Sequence, residues 1–106
     1  MFVFLPKGYK GHYSIPENIS IIIGGAFSDC EGLTSVTIPN SVTSIGESAF
    51  ADCRGLTSVT IPDSVTSIGV DAFYDCSSLQ SIIIPPGTKQ KFARFLPYNK
   101  DKLVEQ

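Results

Sequence analysis

Three cysteines, three aspartates and one histidine are the side chains in this chain of 106 residues whose chemistry first invites a function. Cys30, Cys53 and Cys76 stand 23 residues apart, and Asp29, Asp52 and Asp75 precede them one by one. A zinc site needs four nitrogen or sulfur ligands converging, in pairs two to four residues apart. Thiols that recur only once per 23 residues form a row instead, and that row predicts buried, reduced core thiols. Neighbouring positions in such a row lie about 4.8 Å apart, within the Cα separations of disulfides. Parallel Cβ vectors disfavour a bridge, however, and the odd count leaves one thiol over. The aspartate row raises calcium as an alternative. Two unit charges about 4.8 Å apart in water repel by only about 0.9 kcal/mol, so turn-bonding carboxylates account for the row without an ion. His12 is the only histidine, with no second imidazole for a metal pair and no nucleophile tied to it by a local motif. It reads as a solvated or packing residue. The Gly25 region lacks the GxxxxGK[ST] phosphate loop. No catalytic, cofactor-binding or metal-ligating residue is therefore assigned, and a non-enzymatic role is expected.

Such rows require elements that repeat in space. The Cys period is shared by Leu33/Leu56/Leu79, Val36/Val59/Ile82, Ile38/Ile61/Ile84, Pro39/Pro62/Pro85, Ala26/Ala49/Ala72 and Phe27/Phe50/Phe73. A fixed period in the twenties carrying an apolar skeleton is the signature of a stacked solenoid. Within one copy, Val36 and Ile38 fall on one face of a short strand and Ser35 and Thr37 on the other. Pro39 ends that strand because it has no N–H to give to a ladder. Val42 and Ile45 return inward on a second extended leg, and Gly46 and Gly69 permit the bend after it. ESAF and VDAF have room for one helical turn at most.

The ends must be lids. Residues 1–12 match the repeat poorly: Phe4 falls one period before Phe27, but Lys7 occupies the Cys column and Lys10 the Leu column. They read as an N-terminal cap, and residues 13–88 as the repeats. Residues 89–106 read as a C-terminal helical cap, with Thr88 as N-cap and Pro97 as terminator. Phe92, Phe95 and Leu96 form its apolar stripe, while Lys89, Lys91 and Arg94 face water. Leu103 and Val104 offer a final contact.

Charge and hydropathy narrow the partners. Residues 11–88 hold eight acids against Arg54 alone, a net −7, so the body lacks the basic face that nucleic acid requires. No apolar run approaches the roughly 20 residues of a membrane span, so no membrane insertion is expected. The start, MFVFLPKGYKG, shows no secretory signal. It is apolar and strand-forming, and could join another copy edge to edge.

The pattern LxxVxIPxSVTSIGxxAFxxC across residues 13–88 resembles the BspA-type leucine-rich repeats of bacterial surface and secreted proteins. That resemblance implies a right-handed leucine-rich-repeat solenoid of the α/β horseshoe type, built mostly of short parallel strands and turns. It further implies an extracellular or cell-surface location and a protein or glycoprotein partner, with adhesion to host matrix proteins in some members. The outward strand face is the expected binding surface of such an array. Its candidate residues are Ser35, Thr37, Ser58, Thr60, Ser81 and Ile83, with His12 and Ser14 on the same face. They include none of the Trp, Tyr or Arg anchors usual at protein interfaces. A structural spacer, or remnant of a longer array, is accordingly the second expectation, and an enzyme the last.

Overall fold

Alternating LTSVT and SVT segments with Pro at their ends form the strands of the computed structural model, which describes residue 5 and residues 8–106. Strands β1 (Gly11–Ser14), β3 (Leu33–Thr37), β5 (Ser58–Thr60) and β7 (Ser81–Ile84) lie side by side in one parallel sheet. Their register is the sequence period: Tyr13 pairs with Val36, Val36 with Val59, and Val59 with Ile82. The second legs, β2 (Ile21–Ile22), β4 (Ser44–Ile45) and β6 (Ser67–Ile68), stack into a smaller parallel sheet. Phe4 and Lys7 of the N-terminal segment lie outside the described residues. Gly11 and His12 are already strand residues.

A third ladder joins the repeats where one helical turn is expected. The AF segments form consecutive turns instead, with Ala49 N–H donating to Gly46 O, Ala51 N–H to Ser48 O and Cys53 N–H to Phe50 O. Left-handed backbone interrupts any helix there: φ is 57° at Ser48, 61° at Asp71, 62° at Asp29 and Asp52, and 56° at Asp75. Short polar side chains tolerate this conformation. It frees alternate N–H groups to reach the next repeat, so Phe27 donates to Ala49 O at 2.7 Å and Phe50 to Ala72 O at 2.8 Å.

Between the ladders the apolar columns interlock. Phe27, Phe50 and Phe73 stack nearly face to face, with centroids 5.1 and 5.3 Å apart and planes within 8°. Leu33, Leu56 and Leu79 and the Val and Ile columns are buried with them. Gly46 and Gly69 are needed for proximity rather than for the bend: a Cβ on Gly46 would overlap the Gly24 backbone, and one on Gly69 the Glu47 backbone. Two other expectations are corrected. Cys53 and Cys76 are buried, but Cys30 is half-buried. Lys91 does not face water freely; its ammonium lies 2.8 Å from Asp63 Oδ1, 2.7 Å from Asp63 O, and over the Phe92 ring.

The C-terminal lid has two parts. Helix α1 (Lys89–Phe95) buries Phe92, and Leu96 just beyond it is buried as well. Thr88 precedes the helix without capping it, because its hydroxyl donates to Pro85 O at 2.7 Å. Glu105 Oε2 instead accepts from Lys89 N–H at 3.0 Å. That carboxylate arrives on a strand, β8 (Leu103–Glu105), which pairs parallel with β7 as the fifth strand of the main sheet. The chain thus closes its strand side with a strand and its leg side with a helix.

Candidate functional site

The outward face of the main sheet gathers the residues proposed from alternation. Pairings Ser35↔Ser58, Thr37↔Thr60, Ser58↔Ser81 and Thr60↔Ile83 place all six in two adjacent rows across the strands. All six are half-buried, because each shares the sheet surface with its neighbours. At the Pro ends of the strands the face runs into a groove of about 640 Å³, whose lining includes Thr37, Thr60, Ile83, Asn40, Glu17 and Gln106. Thr37, Thr60 and Ile83 therefore belong to a concavity, while Ser35, Ser58 and Ser81 form the flat row beside it.

Several hydroxyls elsewhere in the repeat are engaged. Ser41 Oγ donates to Ile19 O at 2.7 Å and Ser64 Oγ to Val42 O at 2.8 Å. Thr43, Thr57 and Thr66 donate to the carbonyls of Ser20, Thr34 and Thr43. On the face, by contrast, the hydroxyls of Ser58, Thr60 and Ser81 make no hydrogen bond within the protein among the described residues. Each keeps a donor and two acceptor positions for a ligand.

His12 closes the N-terminal end of this face. Its Nδ1 lies 2.5 Å from Ser35 Oγ, and its Nε2 lies 3.1 Å from Ser14 Oγ and 3.2 Å from Thr37 Oγ1. The 23-residue offset between His12 and Ser35 is the signal by which the sequence could have paired them. Hydroxyls surround both ring nitrogens, and no carboxylate orients the imidazole as nucleophilic activation requires. The arrangement fixes a ring at the edge of a polar surface.

The cysteine row has a structural occupation, while the aspartate carboxylates make none of the expected turn hydrogen bonds among the described residues, and Asp52 and Asp75 turn to Arg54 instead. Arg54 lies 3.2 Å from Asp75 Oδ2, 3.6 Å from Asp52 Oδ1 and 3.8 Å from Glu31 Oε2, gathering the acids of three successive turns. Desolvation, then the hydrogen bond with Asp75 and the charge of Asp29, raise the Asp52 carboxyl above its ordinary value against the pull of Arg54. Among the described residues, no three His, Cys, Asp or Glu side chains gather closely enough to hold a metal ion. Cys53 Sγ donates to Phe27 O and Cys76 Sγ to Phe50 O, each at 3.1 Å. Burial pushes the Cys53 thiol up to about 12 and that of Cys76 up to about 11. Protonated thiols at neutral pH are poor nucleophiles, so these two serve as donors within the stack.

Comparison with known proteins meets the same repeat. The family described as "BspA type Leucine rich repeat region" matches residues 8–99 in six copies. The crystal structure of a leucine-rich repeat protein from T. pallidum superposes with a TM-score of 0.66 at 26% identity, covering 79% of this chain and 50% of that one. A leucine-rich cell surface protein from Faecalibacterium prausnitzii A2-165 is 35% identical over 70% of this chain and 26% of its own, with a TM-score of 0.48. This chain thus spans half the length of the T. pallidum protein's solved chain. A comparison with curated proteins gives no match. Among the described residues no helix is long and apolar enough to cross a membrane.

Proposed function

The chain belongs to the BspA-type leucine-rich repeat family, and from that premise we propose that it is a non-enzymatic module binding a protein or glycoprotein at the outward face of its main sheet. Repeats of this kind generally serve protein interaction. The observation that carries the reading here is the division of the hydroxyls: Ser58, Thr60 and Ser81 are left available beside a groove, while Ser41, Thr43, Ser64 and Thr66 of the leg segments are engaged with backbone carbonyls. A surface of neutral hydroxyls with one imidazole suits polar, uncharged ligand groups such as glycan hydroxyls and peptide amides. Without large aromatic or Arg anchors it binds weakly at each copy. The family and the cell-surface description of the F. prausnitzii protein support an extracellular or surface setting, with host matrix glycoproteins as the partners to test first.

A spacer role is the second reading, favoured by the absence of Trp, Tyr and Arg from the six face residues. Binding of the folded protein to immobilised matrix glycoproteins separates the two. Saturable binding that disappears in a folded Thr37→Lys/Thr60→Lys variant supports the face. Unaltered binding in that variant places the contact elsewhere, and binding to none of the partners supports the spacer.

A further inference from the structure

The turn ladder stops at a place the lid leaves open. In each inner repeat the turn N–H groups donate forward: Gly25, Phe27 and Asp29 to the carbonyls of Glu47, Ala49 and Ala51, and Ser48, Phe50 and Asp52 to those of Val70, Ala72 and Tyr74. The equivalent N–H groups of Asp71, Phe73 and Asp75 meet no backbone carbonyl among the described residues. By the 23-residue count helix α1 falls where the next leg would run, but none of its carbonyls accepts from Asp71, Phe73 or Asp75 among the described residues, so it covers the edge without pairing to it. A cleft of about 700 Å³ remains between the turn, residues 68–75, and the end of the lid, residues 94–99. Its volume lies in the range of about 300–1,000 Å³ seen for ligand pockets. Val70, Tyr74 and Tyr98 line it and are 67%, 60% and 86% exposed, an uncovered apolar surface beside a row of donors.

An occupant must supply carbonyls at alternate positions, as the turns of the inner repeats do, together with apolar side chains for the uncovered surface. The first five residues of this chain, MFVFL, are wholly apolar. By the 23-residue count, Met1, Val3 and Leu5 fall in the columns of Glu47/Val70, Ala49/Ala72 and Ala51/Tyr74, whose carbonyls accept the ladder inside the molecule. Leu5 packs against the core, and Gly8 and β1 follow it at the opposite end of the strand order from the cleft. Leu5 thus lies at the end of the molecule away from the cleft, and a neighbour's cleft rather than its own is the one considered for this segment. We propose that the cleft between residues 68–75 and 94–99 receives residues 1–5 of a second copy, continuing the inter-repeat ladder from one molecule to the next. The contact is heterologous, so it propagates head to tail instead of closing as a symmetric dimer.

The test uses the whole protein. Sedimentation velocity and amide hydrogen exchange are followed as concentration rises, alongside Val70→Asp, which changes an exposed side chain in the cleft. The expected result is a mass that grows with concentration and exchange at Phe73 and Asp75 that slows several-fold in parallel. Val70→Asp should remain monomeric with an unchanged melting temperature, and an excess of synthetic MFVFLPK peptide should shorten the wild-type assemblies. A mass and exchange pattern independent of concentration would overturn the proposal. So would association of Val70→Asp equal to that of the wild type, or assembly unaffected by the peptide.

Discussion

The strand face and the return legs of this solenoid use the same residue types at the same period, yet four hydroxyls of the leg segments reach backbone carbonyls and, among the described residues, none on the face does. Ser41, Thr43, Ser64 and Thr66 on the legs reach back to carbonyls of the preceding repeat, at 2.7–3.3 Å. Ser58, Thr60 and Ser81 on the face bond nothing within the protein among the described residues. The cause is backbone geometry. On the face, parallel strands satisfy each other's main-chain groups in register, so a hydroxyl has no unpaired carbonyl beside it. At the leg corners, carbonyls such as those of Ile19 and Val42 lie outside the two-residue strands and accept a side-chain donor. Hydroxyl bonding to the backbone is therefore concentrated in the leg segments, while on the face Ser58, Thr60 and Ser81 stay free for the ligand proposed there.

The largest effect expected on both regions comes from removing residues 89–106. That truncation takes away β8 from the face and α1 from the legs together, and the product should aggregate or melt early in thermal denaturation. An unchanged melting temperature would mean that neither element is a lid.

Alkali should next separate the buried side from the face. The Cys53 and Cys76 thiols, raised by burial to about 12 and 11 from an ordinary 9.0, hold protons that the unfolded chain releases. Their contribution is intact below pH 9 and is lost as pH rises toward 11–12. Denaturant midpoints should fall across that window. A Cys53→Ala/Cys76→Ala variant, although less stable at pH 7, should show a shallower fall. Thiol labelling of the native protein at neutral pH should modify half-buried Cys30 before Cys53 or Cys76.

Smaller effects resolve the hydroxyls. Ser41→Ala and Ser64→Ala each remove a partner of a backbone carbonyl and should cost about 1 kcal/mol. Their sum should be about 2 kcal/mol in denaturant unfolding if the two sites act independently. Ser58→Ala and Thr60→Val on the face should stay within about 0.5 kcal/mol of the wild type. Equal losses from the two pairs would erase the distinction.

Much of this was legible from spacing. A row of Val36, Val59 and Ile82 could only be a stack of parallel strands, and the face residues followed from alternation along each of them. The turn was less legible. Asp29, Asp52 and Asp75 read as turn-bonding carboxylates, but all three take left-handed backbone, and the N–H groups of Asp29 and Asp52 find carbonyls 22 residues ahead, which local sequence does not display. Strand β8 was hidden for a related reason: LVE is short and falls outside the period, and only its pairing with Ile82, Ile83 and Ile84 makes it a strand. His12 could have been joined to Ser35 by the period, although the hydroxyl at each of its nitrogens is a tertiary fact.

The most direct measurement places two double variants beside the wild type on the same immobilised matrix glycoprotein. One is Thr37→Lys/Thr60→Lys on the face and the other Thr43→Lys/Thr66→Lys on the legs, with folding of both confirmed by circular dichroism. The face variant should lose binding, while the leg variant should melt lower and still bind. Binding kept by the face variant, or lost only in the leg variant, would contradict the division between a structural side and a recognition side.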